Sequence, residues 1–393
     1  MPLEAKKGGS EMGATIGVNV ISRKESEKIL RGLFEYAGIQ VNGSRPGDIR
    51  VYDERFYERV LRDVQLGVGE SYLDGWWDCD AVDQFVCKAL YARIDEKIKG
   101  DWKILFYMLK SRLFNLQSPE RAFEVGQRHY DLGNDLYRAM LDRRMNYTCA
   151  YWKNAAALDE AQEAKLDLVC KKIGLKPGMR VLELGCGWGS FARYAAEKYG
   201  AHVTGVTISK EQVALGTELC QGLPVELRLQ DYRDVRGAYD AVISIGVMEH
   251  VGYKNYPAYM EVVDRCLKPD GIAFIHTIGG NRSQTGTDAW TEKYIFPNGM
   301  LPSIAQLGKV MEGKFVMEDW HNIGPHYDKT LMAWHANFEK AWPDLKSRYD
   351  ERFHRMWRFY LLSCAGAFRA RNNQLWQIVM TRQGSPQPEC RIS

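Results

Sequence analysis

Several features are scarce or missing in this chain, and each absence removes a class of protein. Net charge is almost absent: 53 Lys and Arg stand against 50 Asp and Glu, leaving +3 over 393 residues. That balance argues against a dedicated nucleic-acid binder and turns attention to local charge. No C-x-x-C occurs. The cysteines (Cys79, Cys87, Cys149, Cys170, Cys186, Cys220, Cys266, Cys364 and Cys390) are odd in number and scattered. Neither a disulfide framework nor a structural zinc site is expected, and a reducing cytosol fits. No two histidines stand at ligand spacing on a helix, so no metal is expected; His250 beside Glu249 is not such a pair. No run of about 18 apolar residues is available to span a bilayer. The N-terminus lacks the apolar region of a secretory signal, so the expected location is cytoplasmic. Internal repeats and low-complexity segments are absent too.

What is present is core-forming material. Hydrophobic residues make up 45% of the chain, and the length suits two domains. Residues 1 to about 25, with Gly8, Gly9 and Gly13, show no period and read as a flexible lead. Ile29, Leu30, Leu33, Phe34 and Ala37 then trace one face of a helix, and Phe56, Val60, Leu61 and Val64 trace another. Trp76 and Trp77 read as aromatic anchors of a small core. From Lys88 to Arg112 the basic residues Lys88, Arg93, Lys97, Lys99, Lys103, Lys110 and Arg112 alternate with aromatics and aliphatics. Such a segment suits an anionic bilayer surface, and it suits a solvated helix face with a core side equally well. The apolar run is too short to span, so any membrane contact is peripheral. The polar stretch around Pro119 marks a boundary. The expected division is a helical N-terminal domain over residues 1–115, a linker over 116–130 and a catalytic domain over 131–393.

The centre of that catalytic part is RVLELGCGWGSFARYAA, residues 180–196. Val181, Leu182 and Leu184 make a short buried-strand run. Gly185, Gly187 and Gly189 follow at alternate positions, and a helical pattern opens at Ser190. A strand turning through glycines into a helix lets a ligand approach the backbone. The spacing is not that of dinucleotide binders. With Glu183 in front, it resembles the first motif of S-adenosylmethionine-dependent methyltransferases. Further strands are expected at His202–Ser209, Val225–Leu229, Tyr239–Ile245, Gly271–Ile278 and, near the C-terminus, Leu375–Thr381. Helices are expected at Leu158–Ile173, Lys210–Leu219 and Tyr256–Leu267. Strand–helix alternation of this kind builds a mostly parallel sheet with ligands at the carboxyl ends of its strands. The expected class is α/β, an S-adenosylmethionine-dependent methyltransferase (Rossmann-like) fold with a small, mainly helical N-terminal domain.

The segments NYTCAYW, VLELGCGWGSFARYAA, GVTISKEQ, VMEHVGYKNY, HTIGGN, YIFPNGMLPS, HYDKTLMAW and CAGAFRARNNQLWQ together resemble the cyclopropane-fatty-acyl-phospholipid synthases, in their bacterial two-domain form. Thr148 stands where that family often has Ser. The resemblance implies transfer of a methylene group from S-adenosylmethionine to a cis double bond of an acyl chain still esterified in a membrane phospholipid. It implies a bound bicarbonate ion as the base, held by Cys149, Glu249, His276, Tyr327 and the backbone of Ile278. Glu249 would accept the hydroxyl proton of bicarbonate, and His276 and Tyr327 would donate to the anion. Cys364 is a nucleophile on paper, but an apolar neighbourhood raises a thiol's pKa, so it reads as wall or packing. For the cofactor the resemblance implies contacts from Tyr147, Thr148, Glu183, Gly185, Cys186, Gly187, Trp188, Gly189, Thr207, Ile208, Ser209, Gln212, Asp231, Tyr232 and Ile245.

The chemistry asks for matching surroundings. An alkene is a weak nucleophile, so catalysis must come from alignment and exclusion of water. A carbocation needs a π-rich wall. Tyr147, Tyr151, Trp152, Tyr294, Phe296 and Tyr327 are candidates, although ordinary core packing accounts for most of them singly. Expected partners are unsaturated membrane phospholipids and an anionic bilayer surface, with peripheral attachment at its inner face; nucleic acid is not expected, and a homodimer is left open. Two alternatives stand beside this reading: a lipid C-methyltransferase giving branched chains, and a silent binding protein for S-adenosylmethionine or membranes.

Overall fold

The computed structural model describes residues 23–100 and 133–392. The expected linker 116–130 and residues 101–112 of the basic segment lie outside the described residues.

The N-terminal part is built on aromatic packing. Helix Arg23–Tyr36 buries Leu30, Leu33 and Phe34, the face its periodicity predicts. Two short strands, β1 (Arg50–Val51) and β2 (Trp77–Asp78), pair antiparallel and bracket helix Arg55–Leu73. That helix runs well past Val64, where the expected pattern stopped, and Val64 itself takes a non-helical conformation at φ 49°. Trp77 is fully buried among Phe56, Tyr72 and Phe85. Trp76 does otherwise: it is half-buried and lies under the guanidinium groups of Arg55 and Arg59, 4.5 and 4.8 Å from its ring.

The rest of the chain folds around a seven-stranded sheet. Its strands are β3 (Arg180–Leu184), β4 (His202–Thr207), β5 (Val225–Leu229), β6 (Tyr239–Ile245), β7 (Leu267–Gly280), β8 (Phe315–Asn322) and β9 (Asn373–Arg382). The order is β5-β4-β3-β6-β7-β9-β8. Strands β3 to β7 are mutually parallel. The apolar residues of β3, β4, β6 and β7 are mostly buried by helices on both faces, as parallel sheets require, while the edge strand β5 stays partly exposed. The C-terminal strand does not finish the sheet at an edge. It inserts antiparallel between β7 and β8.

Strand β8 has no counterpart among the expected strands. Its sequence, FVMEDWHN, alternates poorly, and the register shifts between Met317 and Asp319. Asp319 is buried and pairs with the buried ammonium of Lys172, at the end of helix Leu158–Lys172.

Helices Pro325–Leu345 and Glu351–Arg369 cover the strand ends and carry the N-terminal helices with them. One continuous apolar cluster runs from Leu30 and Trp77 through Trp290 and Trp334 to Phe368. Helix Glu351–Arg369 comes so close to helix Val82–Tyr91 that a Cβ on Gly366 would stand 2.5 Å from the Asp83 carbonyl oxygen. Arg369 joins Asp83 and Asp328 across the same contact.

A buried ion pair that loses one partner leaves a poorly compensated charge, at a cost of about 3–5 kcal/mol; the exposed Arg391 reaches only the other Asp319 oxygen, at 3.4 Å. Lys172→Met should therefore destabilise the fold by that order, and Lys172→Met with Asp319→Leu should recover most of the loss. Urea unfolding midpoints of the three proteins check this; a double variant no better than the single one would refute it.

Candidate active site

A cavity of about 1700 Å³ opens at the carboxyl ends of β3, β4, β6 and β7. Its cofactor-side rim begins with the glycine turn. Gly185 has φ +74°, and a Cβ there would stand 2.3 Å from Val247 Cγ2, so only glycine fits. The Gly185 and Cys186 amides both donate to the Val206 carbonyl, at 2.9 and 3.0 Å, which ties the turn to β4. Cys186, Gly187 and Trp188 face the cavity with Gly185. Gly189 does not. It starts helix Ser190–Tyr199, and its α-carbon packs over Leu227 and Cys220.

The remaining expected contacts line the same side. Thr207 Oγ1 donates to Gln212 Oε1 at 2.8 Å, and Ser209 Oγ accepts from the Gln212 amide, starting the next helix. Ile208 sits at the mouth, 80% exposed. Asp231 is held by Arg233 at 2.9 and 2.6 Å, which keeps its carboxyl below the usual range. Tyr232, half-buried, rests against Tyr259. Ile245 ends β6. Glu183 is buried beneath them; burial pushes its carboxyl up to about 8, and Oε2 has no hydrogen-bond partner among the described residues.

The deeper end holds the expected reaction residues. Glu249 lies on the short helix Met248–Val251 after β6. Its Oε1 accepts from the Ile278 amide at 2.6 Å, while Oε2 has no partner among the described residues. Burial raises this carboxyl to about 7, against the pull of the Ile278 bond. His276 extends from β7 and is 1% exposed. Burial keeps its ring neutral. Gln377 Nε2, from the neighbouring strand β9, stands 3.4 Å from His276 Nδ1. His276 Nε2 also lacks a partner among the described residues. Tyr327 and Cys149 are buried close by, and burial pushes both groups upward. Cys364 lines the cavity with its thiol pushed up to about 12.

Of the expected aromatic wall, Tyr147, Phe296 and Tyr327 line the cavity. Tyr151 and Trp152 turn away: Tyr151 stacks on His326, and the Trp152 amide donates to that ring at 2.6 Å. Tyr294 donates to Glu70 of the N-terminal part. Sequence reasoning missed Lys165, Asn146, Gln377, Trp290 and Tyr360. Lys165 was findable: it stands four residues from both Ala161 and Val169, on the buried face of its helix. No group able to hold a metal ion occurs among the described residues.

The cavity is polar at the glycine turn and aromatic at depth, where Glu249 Oε2 and His276 Nε2 have no partner among the described residues. The family model for mycolic acid cyclopropane synthetase matches residues 117–378. The cyclopropane-fatty-acyl-phospholipid synthase of Escherichia coli is 53% identical over 355 residues, covering 90% of this chain and 93% of that one. The chain belongs to the cyclopropane-fatty-acyl-phospholipid synthase family. It is an S-adenosylmethionine-dependent transferase with the Rossmann-like fold of such enzymes. The family model begins at 117, whereas the similarity to the Escherichia coli synthase takes in most of the N-terminal helices as well. Among solved structures, the mycolic acid cyclopropane synthase CmaA1 complexed with SAH and CTAB aligns at TM-score 0.60 and 32% identity, over 66% of this chain and 98% of that one. A tuberculostearic acid methyltransferase of Mycobacterium tuberculosis is 33% identical, over 84% of this chain and 81% of its own.

Thiolates, not thiols, react with alkylating agents. Cys149 and Cys364 should therefore resist iodoacetamide at pH 8 by roughly 10²-fold or more relative to the unfolded chain. Mass spectrometry of peptides after timed labelling reads this directly; fast native labelling at either position would contradict the burial described.

Proposed function

We propose that this transferase adds a methylene group to the cis double bond of unsaturated acyl chains in membrane phospholipids, forming cyclopropane fatty acids, with bicarbonate as the proton acceptor. One observation carries the reading. Glu249 Oε2 and His276 Nε2 are buried and have no partner among the described residues, and both residues line the cavity. Buried polar atoms are seldom left without partners unless a ligand supplies them. A small anion bearing one hydroxyl matches this pair: Glu249 accepts the proton of the hydroxyl, and His276 donates to an oxyanion.

The residues of the glycine turn fit the cofactor as well. Gly185 and Gly187, both at positive φ, leave the backbone bare for close approach. S-adenosylmethionine, when bound, supplies an electrophilic methyl group on a sulfonium. Bicarbonate, when bound, supplies a base that stays out of carbon–carbon chemistry. Around them, Tyr147, Phe296 and Tyr327 give the positive carbon of the acyl chain a wall of π faces. The Ile278 amide holds Glu249 Oε1, which leaves Oε2 open to accept a proton. His276 donates from Nε2 in the tautomer whose Nδ1 accepts from Gln377 Nε2. Apolar side chains of the N-terminal helices, Val64 and Val68 among them, continue the cavity and give a long acyl chain somewhere to lie.

The enzyme is proposed to act from the bilayer surface in the cytoplasm. No helix among the described residues is long and apolar enough to cross a membrane. The basic segment 88–112 is the proposed point of contact, with 1–115, 116–130 and 131–393 as the domain division. A second reading, a methyl-branched product, is favoured by the 33% identity to a tuberculostearic acid methyltransferase.

Gas chromatography of lipids from cells expressing the protein separates the two, since ring-bearing chains support the first and branched chains the second. Glu249→Gln should lower turnover by about 10²–10⁴-fold on unsaturated phospholipid vesicles, with cofactor affinity nearly intact. Matched losses of both would remove its assigned role. At fixed bicarbonate, turnover should climb as pH rises through about 7, because Glu249 must be ionised to accept a proton. Glu249→Gln should lose that limb.

A further inference from the structure

The reaction chemistry leaves a buried cation of the cavity unused. Lys165 is 1% exposed and projects from helix Leu158–Lys172 to the floor of the cavity, below the glycine turn. Its ammonium forms no hydrogen bond to a carboxylate among the described residues. Instead it donates to two neutral oxygens, Asn146 Oδ1 and Thr148 Oγ1, each at 3.0 Å.

Those two bonds have a direction that cannot be reversed. An ammonium has three donors and no acceptor. Thr148 Oγ1 is therefore an acceptor toward Lys165, and its own hydroxyl proton must point elsewhere. The side chain cannot rotate to escape this, because the Thr148 methyl packs at the α-carbon of Gly246, where even a Cβ would stand only 2.7 Å from Thr148 Cγ2. The peptide is fixed as well, with Gln162 Nε2 donating to the Thr148 carbonyl at 2.8 Å.

Asn146 anchors the other side of the ammonium. Its Oδ1 accepts from Ser190 Oγ at 2.7 Å as well as from Lys165. Its Nδ2 donates to Asp142 Oδ2 at 2.8 Å, and its amide donates to Asp142 Oδ1 at 2.8 Å. With two donors on Oδ1 and an acceptor on Nδ2, the amide has one orientation. The chain of donation runs from Lys165 to Asn146 and on to Asp142, and separately from Lys165 to Thr148. Thr148 is the open end of this network, and it lines the cavity beside the glycine turn.

We infer that Lys165 is a positioning residue that fixes the polarity of the Thr148 hydroxyl, so that Thr148 donates to the carboxylate at the amino-acid end of the cofactor. This rests on the cofactor reading above. Full burial of a cation is costly unless a function or a complete set of partners holds it there. Here two of its three donors are occupied by the segment it orients, and its charge favours an anionic group at the same spot. The same geometry accounts for the hydroxyl at position 148, where either Ser or Thr can serve and an apolar residue cannot.

Isothermal titration of the full-length protein tests this without catalysis. The ligands are S-adenosylhomocysteine, its decarboxylated analogue, which keeps the amine, and 5′-methylthioadenosine, which has neither group. Lys165→Met should weaken S-adenosylhomocysteine by about ten- to a hundredfold and leave the two ligands without a carboxylate within about twofold of the parent protein. Thr148→Val should show the same selectivity, and Thr148→Ser should restore the affinity lost in Thr148→Val. Equal losses for all three ligands, or none, would overturn the inference. Should Lys165→Met fail to fold, the Thr148 pair decides alone, and Thr148→Val binding S-adenosylhomocysteine as well as Thr148→Ser does would overturn it. A parent protein that binds neither S-adenosylhomocysteine nor 5′-methylthioadenosine would instead strike down the cofactor reading, and this inference with it.

Discussion

Taking ionisable groups out of water is expensive, and the interior of this enzyme is arranged around that cost. Glu249, His276, Glu183 and Lys165 all lie in one cavity and are all buried. The simplest relief would be to pair the lysine with a carboxylate. The fold does not do this. Lys165 is turned onto neutral oxygens, and the firmest hydrogen bond to Glu249 comes from a backbone amide. A cation in contact with Glu249 would hold its carboxyl low and make it a poor proton acceptor. One N–H bond leaves it near 7, where a modest change of surroundings moves a proton.

The walls that keep water out come from distant parts of the chain. The N-terminal helices join the same apolar cluster as helix Glu351–Arg369 and helix Pro325–Leu345. Glu70 of the N-terminal part receives Arg59, and also Lys293 and Tyr294 from the end of helix Ala289–Tyr294, just before Phe296. Gly69 lies flat against the Trp290 ring, where a Cβ would stand 2.2 Å from Cδ1. The small helical part is therefore packed into the wall of the cavity, not merely tethered to it.

How much of this could be read from the residues depends on the scale of the interaction. Strands β5 and β6 and the helix after β4 follow from local runs of apolar residues bounded by turn formers, and their limits agree with expectation to the residue; β3 takes in the expected run Val181, Leu182 and Leu184. Strand β8 does not. Its place is set by pairing with β9 and by the Lys172–Asp319 contact, and neither leaves a periodic mark in FVMEDWHN. Trp76 and Trp77 look alike in sequence, but only the fold shows that one is core and the other lies beneath two arginines. In the cavity, motif residues at strand ends were legible because topology forces strand ends together. Gln377 was not, since its partnership with His276 requires β9 to lie antiparallel beside β7. Gly189 belongs to the motif but faces Leu227 and Cys220, because it closes the gap between strand and helix.

The proposed ring closure and the branched-chain alternative share a positive carbon, so the outcome depends on what the chamber permits next. An anionic nucleophile in reach would add to that carbon and end the reaction there. The thiols of Cys149 and Cys364 and the phenols of Tyr147, Tyr327 and Tyr360 are all pushed upward by burial, so each stays protonated at neutral pH. Burial keeps His276 neutral, and in the tautomer whose Nδ1 accepts from Gln377 it offers a proton, not a lone pair, at its free nitrogen. Glu249 is the exception, and one of its oxygens is already committed to Ile278. Dryness thus acts twice. In the proposed reaction it raises the barrier to every competing nucleophile, and it would keep one carboxylate basic enough to take up the proton through a small relay instead of attacking carbon itself. A site built only to deliver a methyl group to oxygen or nitrogen would need the alignment and the glycine turn but not this restraint.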